Sequence, residues 1–256
     1  MSSTTNLNSV VLVDTIPLLH SCLAEIARTV SLAVDLEGVA LCRSGTLCIV
    51  QLKAAASDTI WLVDVVALGA SAFEETGGDG KSLKAIFEDE AVKKLFFDVR
   101  NDSDALFHLF GVKLANTYDL QLLEVAVRAS TLAQSPRFVR GLVPSLEEHV
   151  APTKAAAVVR RWARVKADGL ALFAPEHGGT YEVFAARPLA QALVEYCAQD
   201  VALLHDLEAA MSGRIGRRGW NWEQRVREES KVRVAVAYQA NYNPRGREKA
   251  LVPKNW

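Results

Sequence analysis

The chain is organised around the stretch Ser31-Leu-Ala-Val-Asp35-Leu-Glu37-Gly38. Its apolar residues predict a buried β-strand, and apolar side chains continue as far as Leu41. Asp35 and Glu37 interrupt the run at a spacing of two, which places both carboxylates on the same face of the strand. Like charges on a half-buried face repel, and an unpaired buried charge costs several kcal/mol. The pair therefore indicates a cation or a proton at this point of the sheet.

The composition is that of a globular protein, since half of the 256 residues are hydrophobic and 23% are charged. No apolar run approaches the ~18 residues of a membrane span. The N-terminus lacks the basic and apolar regions of a secretory signal. The four cysteines, which show no C-x-x-C or zinc spacing, are Cys22, Cys42, Cys48 and Cys197. We expect free thiols in a reducing compartment, the cytoplasm or the nucleus, and no membrane partner.

The net charge of −1 conceals an asymmetry along the chain. Residues 212–256 hold eleven Lys or Arg and four Glu, whereas the remainder holds eighteen basic and twenty-six acidic residues. We therefore predict a main domain over residues 1–211 and a basic, aromatic-rich extension over 212–256, consisting of a helix and a tail. The extension is expected to bind RNA, to bind another protein or a second copy of the chain, or to pack onto the acidic body.

The hydrophobic periodicity predicts an α/β domain. Strands are expected over 10–14, 31–38, 47–52 and 59–64, and short links between the last three indicate an antiparallel meander. From residue 93 onward the pattern changes to β-α units, with strands over 93–97 and 117–119. A loop is expected over 73–81. Helices are expected over 16–30, 82–89, 102–110, 120–130, 145–150, 188–211 (one helix or two in tandem) and 220–238.

Two further groups of acidic residues follow the first. Asp98, Asp102 and Asp104 lie between a strand and a helix, where acidic residues are also favoured as helix caps. Later in the chain, Tyr196 and Asp200 are four residues apart, so they share one otherwise apolar helix face. A carboxylate on such a face is hard to explain as a solvated surface group, although Tyr196 alone fits a core aromatic equally well.

The three acidic groups follow one another along the chain as D-x-E on an early strand, Asp at a strand-to-helix turn and Y-x-x-x-D on a late helix. This series resembles the DEDDy branch of the DnaQ-like 3′–5′ exonucleases, and is most similar to ribonuclease D-like eukaryotic exonuclease domains. Supporting elements are Phe110-Gly111, Tyr118-Asp119-Leu120-Gln121 (where the family carries D-T-Q) and Arg187-Pro188-Leu189. The resemblance, from Ser31 to about Met211, implies a ribonuclease H-like mixed sheet, an antiparallel meander followed by β-α units, flanked by helices.

Carried over residue by residue, the resemblance implies two Mg²⁺ or Mn²⁺ ions held by Asp35, Glu37, Asp102 and Asp200. Asp102 is assigned because it lies nine residues before Gly111, as in the family. Asp98 and Asp104 are the alternatives, and Asp98 stands where the family often has Asn. Divalent ions suit this ligand set because carboxylates are hard oxygen donors.

The resemblance also implies roles for other residues. Tyr196 would orient the nucleophilic water, because a phenol of pKa ~10 is a poor base at neutral pH. The residues implied to bind the substrate are Leu36, Gly38, Arg100, Asn101 and Arg187. Arg187 has a structural ion pair as its alternative role. The basic run from Lys154 to Lys166 around Trp162 fits either a single strand held by charge and stacking or a solvated helix face.

The implied activity is metal-dependent hydrolysis of single-stranded nucleic acid from its 3′ end, releasing nucleoside monophosphates. RNA is the preferred substrate and DNA the alternative. A second hypothesis is a non-catalytic or weakly active RNA-binding adaptor module on the same fold. A third is a metal-dependent hydrolase of small nucleotides.

Overall fold

The computed structural model describes residues 9–131, 136–215, 221–254 and 256. These residues form one six-stranded sheet in the order β1-β4-β3-β2-β5-β6. The strands are β1 (Ser9–Val13), β2 (Ser31–Val39), β3 (Thr46–Ala54), β4 (Thr59–Asp64), β5 (Lys93–Phe96) and β6 (Thr117–Asp119). The first helices are α1 (Ile16–Ile26), α2 (Val65–Leu68), α3 (Ser71–Glu74), α4 (Leu83–Glu88), α5 (Arg100–Phe110) and α6 (Leu120–Thr131). The later helices are α7 (Leu142–His149), α8 (Ala156–Phe173), α9 (Gln191–Ala202), α10 (Leu204–Ser212) and α11 (Trp222–Ala237).

The strand directions confirm the α/β mixed sheet. Strand β2 lies inside the sheet, antiparallel to β3 and parallel to β5. The β3–β4 pair is antiparallel, which completes the meander, and the β5–β6 pair is parallel, as expected of β-α units. Strand β1 pairs in parallel with β4 at the edge.

Several element boundaries differ from those expected. Helix α1 ends at Ile26, because the chain turns there and the Thr29 hydroxyl donates to the carbonyl of Ser31 at the start of β2. The loop expected over 73–81 includes the end of the one-turn helix α3. Residues 188–211 hold two helices, which are separated at Leu203.

Hydrophobic residues cover both faces of the sheet. One core cluster contains Ala33 of β2 together with residues from α6 to α10. The other contains Val34 and Leu36 of β2 with residues from α1, α4 and α5. Because side chains alternate along a strand, Asp35 and Glu37 lie on the face of Ala33, toward α9. The alternation thus directs both carboxylates away from the core formed by α1, α4 and α5.

The extension packs onto the rest of the fold. Helix α11 contacts β6, α5 and α6, and its Arg233 forms a 2.7 Å ion pair with Asp119. The segment that follows, residues 239–252, is named here the C-terminal strap. It passes Arg43, whose guanidinium donates to the carbonyls of Ala237 and Gln239 at 2.8 Å. Of the alternatives for the extension, packing onto the acidic body is the one observed, and the division at residue 211 stays a prediction.

The four cysteines are free thiols, and all of them are buried. Within the described part of the chain, no helix has the length and apolar character required to cross a membrane.

Candidate active site

Strand β2 carries the first two carboxylates and bends immediately after them. The pairing of β2 with β3 shifts register between Glu37 and Gly38. A Cβ atom at Gly38 would lie 1.9 Å from the carbonyl oxygen of Thr46, so the close approach of β3 requires glycine here. Leu36 points to the opposite face and is buried in the core, 4% exposed.

Helix α9 brings Asp200 to the same place. One carboxylate oxygen from each of Asp35, Glu37 and Asp200 lies within 4.8 Å of the other two. The second oxygen of Asp200, Oδ2, is buried and accepts no hydrogen bond. An orphaned buried carboxylate oxygen beside two other carboxylates fits a hard divalent cation, which takes oxygen ligands.

Asp102 occupies the first turn of α5, where the helix dipole favours a carboxylate. The turn before the helix is held by Asp119, whose side chain accepts the backbone N–H groups of Asp98 and Val99 at 2.9 and 3.2 Å. Burial and the nearby charge of Asp35 raise the pKa of Asp102 well above its ordinary value. Asp102 therefore belongs electrostatically to the cluster on β2.

Asp98 and Asp104 have arginine partners. Asp98, at φ 69°, binds the guanidinium of Arg100 through both oxygens at 2.5 and 2.7 Å. Asp104 is fully buried and accepts the backbone N–H and the Nε of Arg43 at 2.6 and 2.8 Å. Both carboxylates are thus compensated within the protein, which distinguishes them from Asp102.

The pKa values of the clustered carboxylates are raised, which indicates that the site holds too little positive charge to balance them. Burial, reinforced by the charge of Asp200, raises the pKa of Asp35 to about 8. Burial and the charge of Asp35 raise the pKa of Glu37 well above its ordinary value, and burial raises that of Asp200. The carboxylates cannot all ionise at neutral pH without further cations, so the donor set fits divalent ions.

Tyr196 lies one turn before Asp200 on α9. Its ring packs edge-on against Phe173 of α8, with 5.0 Å between ring centroids. Burial raises the pKa of Tyr196 above its ordinary value, and the charge of Asp200 adds to that rise. The phenol is therefore neutral at physiological pH and able to donate a hydrogen bond.

Lys166 of α8 lies at the acidic cluster, a position that the sequence reasoning did not predict. Its ammonium group donates to Oδ1 of Asp200 and lies 3.8 Å from the centroid of the Tyr196 ring. The buried residues of α8 are Trp162, Lys166, Gly169 and Phe173, one stripe at helical spacing. A lysine within that stripe was the available signal, whereas the sequence reasoning treated Lys166 together with the other basic residues of the run from Lys154 to Lys166.

The other basic residues of the run lie elsewhere. Trp162 anchors α8 in the core, 9% exposed, while Arg160, Arg161 and Arg164 are exposed on the outer face. Lys154 pairs with Asp206 at 2.6 Å. The outer face of the helix is thus solvated and the inner face carries the single buried lysine.

The guanidinium group of Arg187 binds other residues of the protein. It forms two hydrogen bonds to Asp64, at 2.5 and 2.6 Å, and a third to the carbonyl of Phe184 at 2.8 Å. The structural ion pair, the alternative for this residue, is therefore what the structure shows.

Arg100 and Asn101 lie where the C-terminal strap meets α5. Arg100 binds Asp98 and donates to the carbonyl of Lys249 at 2.9 Å. Oδ1 of Asn101 accepts from the hydroxyl of Tyr242 at 2.8 Å and from the ammonium group of Lys249. The strap is thus attached directly beside Asp102.

A cavity of about 250 Å³ opens between the strap and β2. Glu37 and Gly38 contribute one wall, and Pro244 and Arg245 of the strap contribute another. Asn101 and Tyr181, a residue that is 43% exposed, also line it. The remaining lining residues are Ala40, Leu41 and Cys42. The cavity therefore lies between Glu37 of the acidic cluster and residues that include Tyr181 and Arg245.

The fold and the acidic cluster are compatible with a nuclease domain, and comparison with known proteins identifies the family. The family model described as 3′–5′ exonuclease matches residues 10–215, and the chain belongs to this family. The resemblance to 3′–5′ exonucleases drawn from the sequence is confirmed at the level of the family.

Among individual proteins, the chain is similar to the piRNA biogenesis protein EXD1 of Mus musculus. The two are 28% identical over 187 residues, which cover 72% of this chain and 29% of the mouse protein. The chain thus corresponds to less than a third of that relative.

Two solved structures show the same fold. Ribonuclease D of Trypanosoma brucei in complex with RNA U12 has a TM-score of 0.73 and 23% identity, covering 96% of this chain and 77% of that one. NrnC of Brucella melitensis bound to pGG has a TM-score of 0.61 and 18% identity, covering 93% of this chain and 98% of that one.

Proposed function

We propose that the chain is a divalent-metal-dependent 3′–5′ exonuclease of the DEDDy type that acts on single-stranded nucleic acid and releases nucleoside monophosphates. The observation that carries the proposal is the meeting of Asp35, Glu37 and Asp200, with oxygens within 4.8 Å of one another. Strands and helices far apart in sequence supply these groups. Their mutual repulsion is compatible with a folded domain only when cations or protons balance them.

Asp35, Glu37, Asp102 and Asp200 would hold two Mg²⁺ or Mn²⁺ ions. Asp102 is preferred over Asp98 and Asp104 because both rivals are bound by arginine. Such ions activate a water molecule and stabilise the charge on the leaving oxygen.

The protein groups around the cluster position the reactants. The neutral phenol of Tyr196 donates a hydrogen bond that orients the attacking water, since its raised pKa makes it unsuitable as a base. The water oxygen bonds to the phosphorus between the last two nucleotides, and the bond from that phosphorus to the 3′ oxygen of the penultimate nucleotide breaks. The water loses a proton to solvent, the leaving 3′ oxygen gains one, and the terminal nucleotide is released as a 5′-monophosphate.

The cavity beside Glu37 fits the terminal nucleotide. Tyr181 offers a face for base stacking, Arg245 a charge for a phosphate, and Asn101 a polar edge. Gly38 lines the cavity, whereas Leu36 supports the strand from the core and Arg100 supports the turn. The strap closes one side of the cavity, which favours a single strand over a duplex end. RNA is the preferred substrate, with single-stranded DNA as the alternative.

The main domain is proposed to span residues 1–211, with the extension completing it. The proposed location is the cytoplasm or the nucleus, in keeping with four free buried thiols.

The test is degradation of a 5′-labelled single-stranded RNA with Mn²⁺. The wild-type chain should shorten the RNA in one-nucleotide steps, and Asp35→Ala should abolish the ladder. The same oligonucleotide as DNA, and a dinucleotide, measure substrate class. A preference for the dinucleotide would support a small-nucleotide hydrolase instead.

The second candidate is an RNA-binding adaptor module without strong activity. One observation favours it: the ammonium group of Lys166 occupies Oδ1 of Asp200. The relative named piRNA biogenesis protein EXD1 is consistent with either role. RNA binding without shortening, in Mn²⁺ or Mg²⁺, would identify the module.

A further inference from the structure

The buried ammonium group of Lys166 lies within the acidic cluster. It pairs with Asp200, and its charge lowers the pKa of Asp35 and Glu37 as well, against the larger effect of burial. Its side chain is only 10% exposed. Lysine normally extends its charge to water, so an inward lysine on an apolar helix stripe must be compensated by what it meets. The carboxylates on β2 and α9 provide that compensation.

The position of this lysine is fixed by helix packing. Four residues before it, the carbonyl of Trp162 accepts the side-chain N–H of Gln199 from α9 at 2.9 Å. Three residues after it, Gly169 lies in contact with the ring of Tyr196. Two points on either side of Lys166 thus join α8 to the helix that carries Asp200. The ammonium group is directed into the cluster by the backbone.

Lys166 and a divalent ion can occupy Asp200 together. The lysine uses Oδ1, and Oδ2 is the buried oxygen without a hydrogen bond. An ammonium group has three N–H donors, so pairing with Asp200 leaves two available for another acceptor. The ring of Tyr196, 3.8 Å away, places those donors beside the residue proposed to orient the water.

We infer that Lys166 is a further catalytic residue, whose ammonium group holds a non-bridging oxygen of the scissile phosphodiester. The inference rests on the proposed exonuclease function. The ligand is the anionic phosphate nearest the 3′ end, and the lysine transfers no proton in this role. Its charge opposes the charge that develops on phosphate oxygens during hydrolysis, in a site screened from water.

The first test compares Lys166→Met and Lys166→Gln with wild type. Lys166→Gln is included because its amide still donates to Asp200 and preserves packing. We expect kcat to fall by about 100-fold in both, the scale of losing one transition-state donor. Mn²⁺ affinity, measured by calorimetry without RNA, should stay equal or rise because a competing positive charge is gone. Lys166→Arg should recover part of kcat.

A matched control is Lys154→Met, which removes a lysine from the ion pair with Asp206, outside the cluster. It should keep wild-type kcat and Mn²⁺ affinity. The inference is overturned if Lys166→Met keeps kcat within about threefold. It is equally overturned if kcat falls only together with a loss of Mn²⁺ affinity of about tenfold or more, which would indicate collapse of the site.

A binding measurement separates this inference from the proposed function. In EDTA, where no hydrolysis occurs, Lys166→Met should bind a short single-stranded RNA more weakly than Lys154→Met does. Equal affinities overturn the inference even if the wild type is an active exonuclease. If the wild type binds RNA but never shortens it, the proposed exonuclease function is wrong. A difference in RNA affinity between Lys166→Met and Lys154→Met would still support a phosphate contact at Lys166.

Discussion

Gly169 of α8 lies directly against the ring of Tyr196 on α9, and a Cβ atom there would be 2.4 Å from Cδ2 of the tyrosine. The nearest tyrosine atoms include Cβ and Cγ, at 2.7 Å, so the root of the side chain and not its flexible end meets the glycine. The absence of a side chain at residue 169 therefore sets where the phenol and Lys166 lie relative to Asp200.

Gly169→Ala should displace Tyr196 or separate the two helices. We expect the free energy of unfolding to fall by about 1–3 kcal/mol, as for other overpacked cores, and exonuclease activity to fall as well. Urea unfolding and the RNA ladder assay measure both effects. Gly213→Ala is the control, because the nearest atom to its new Cβ would be 3.7 Å away. Equal behaviour of the two variants would contradict the packing argument.

The metal-free protein should lose stability as pH rises. The pKa of Asp35 is about 8 in the folded protein against 3.8 ordinarily, so between these values the folded state binds a proton that the unfolded state has lost. Each such group lowers the free energy of unfolding by up to about 1.4 kcal/mol per pH unit within that window. In EDTA the protein should therefore be more stable at pH 5 than at pH 8.

Two comparisons check the origin of this slope. Asp35→Asn, which cannot ionise, should show a shallower dependence on pH. Adding Mn²⁺ at pH 8 should restore stability, because an ion that binds only the folded state stabilises it. A slope that neither change affects would assign the pH dependence to groups outside the cluster.

Asp102 and Asp104 should respond differently to the same substitution. Asp102→Asn is expected to abolish activity while keeping or raising metal-free stability, because it relieves repulsion with Asp35. Asp104→Asn breaks the buried pair with Arg43, at a cost of about 3–5 kcal/mol. Activity assays and thermal unfolding of both variants decide the assignment; inactivity of Asp104→Asn without loss of stability would favour Asp104 as the ligand.

Arg245 should contribute to substrate binding through the cavity. Arg245→Ala is expected to raise KM for RNA and to reduce the slope of log KM against log salt by about one, as for a single phosphate contact. Arg247→Ala, on an exposed residue of the strap outside the cavity lining, should leave the slope unchanged. Identical slopes of log KM against log salt for both variants would show that Arg245 does not contact a phosphate of the substrate.

Local periodicity was enough to predict much of the candidate site. The spacing of two between Asp35 and Glu37 and of four between Tyr196 and Asp200 correctly placed each pair on one face. The helix expected over 102–110 ends at Phe110, where Gly111 caps it in the left-handed conformation. These features depend on neighbours within one turn or one strand.

Features that depend on distant partners could not be predicted in the same way. Arg187 meets Asp64 across 123 residues of sequence, and the strap meets Asn101 across 141. Gly38 was expected only as a substrate-binding residue, and its close contact with Thr46 of the neighbouring strand was not predicted. The contact of Lys166 with Asp200 was not predicted because the direction of the lysine side chain depends on how α8 packs against α9.

The network around Asp119 has a practical consequence for fragments of this chain. Asp119 holds the turn that precedes Asp102, and Arg233 of α11 binds Asp119 in turn, both side chains being buried. A fragment ending at residue 215, the limit of the family match, would leave that carboxylate without its cation, at a cost of about 3–5 kcal/mol. Inactivity of such a fragment would reflect disorder of the turn before Asp102 and not the absence of catalytic residues. Activity assays therefore require a chain that includes α11.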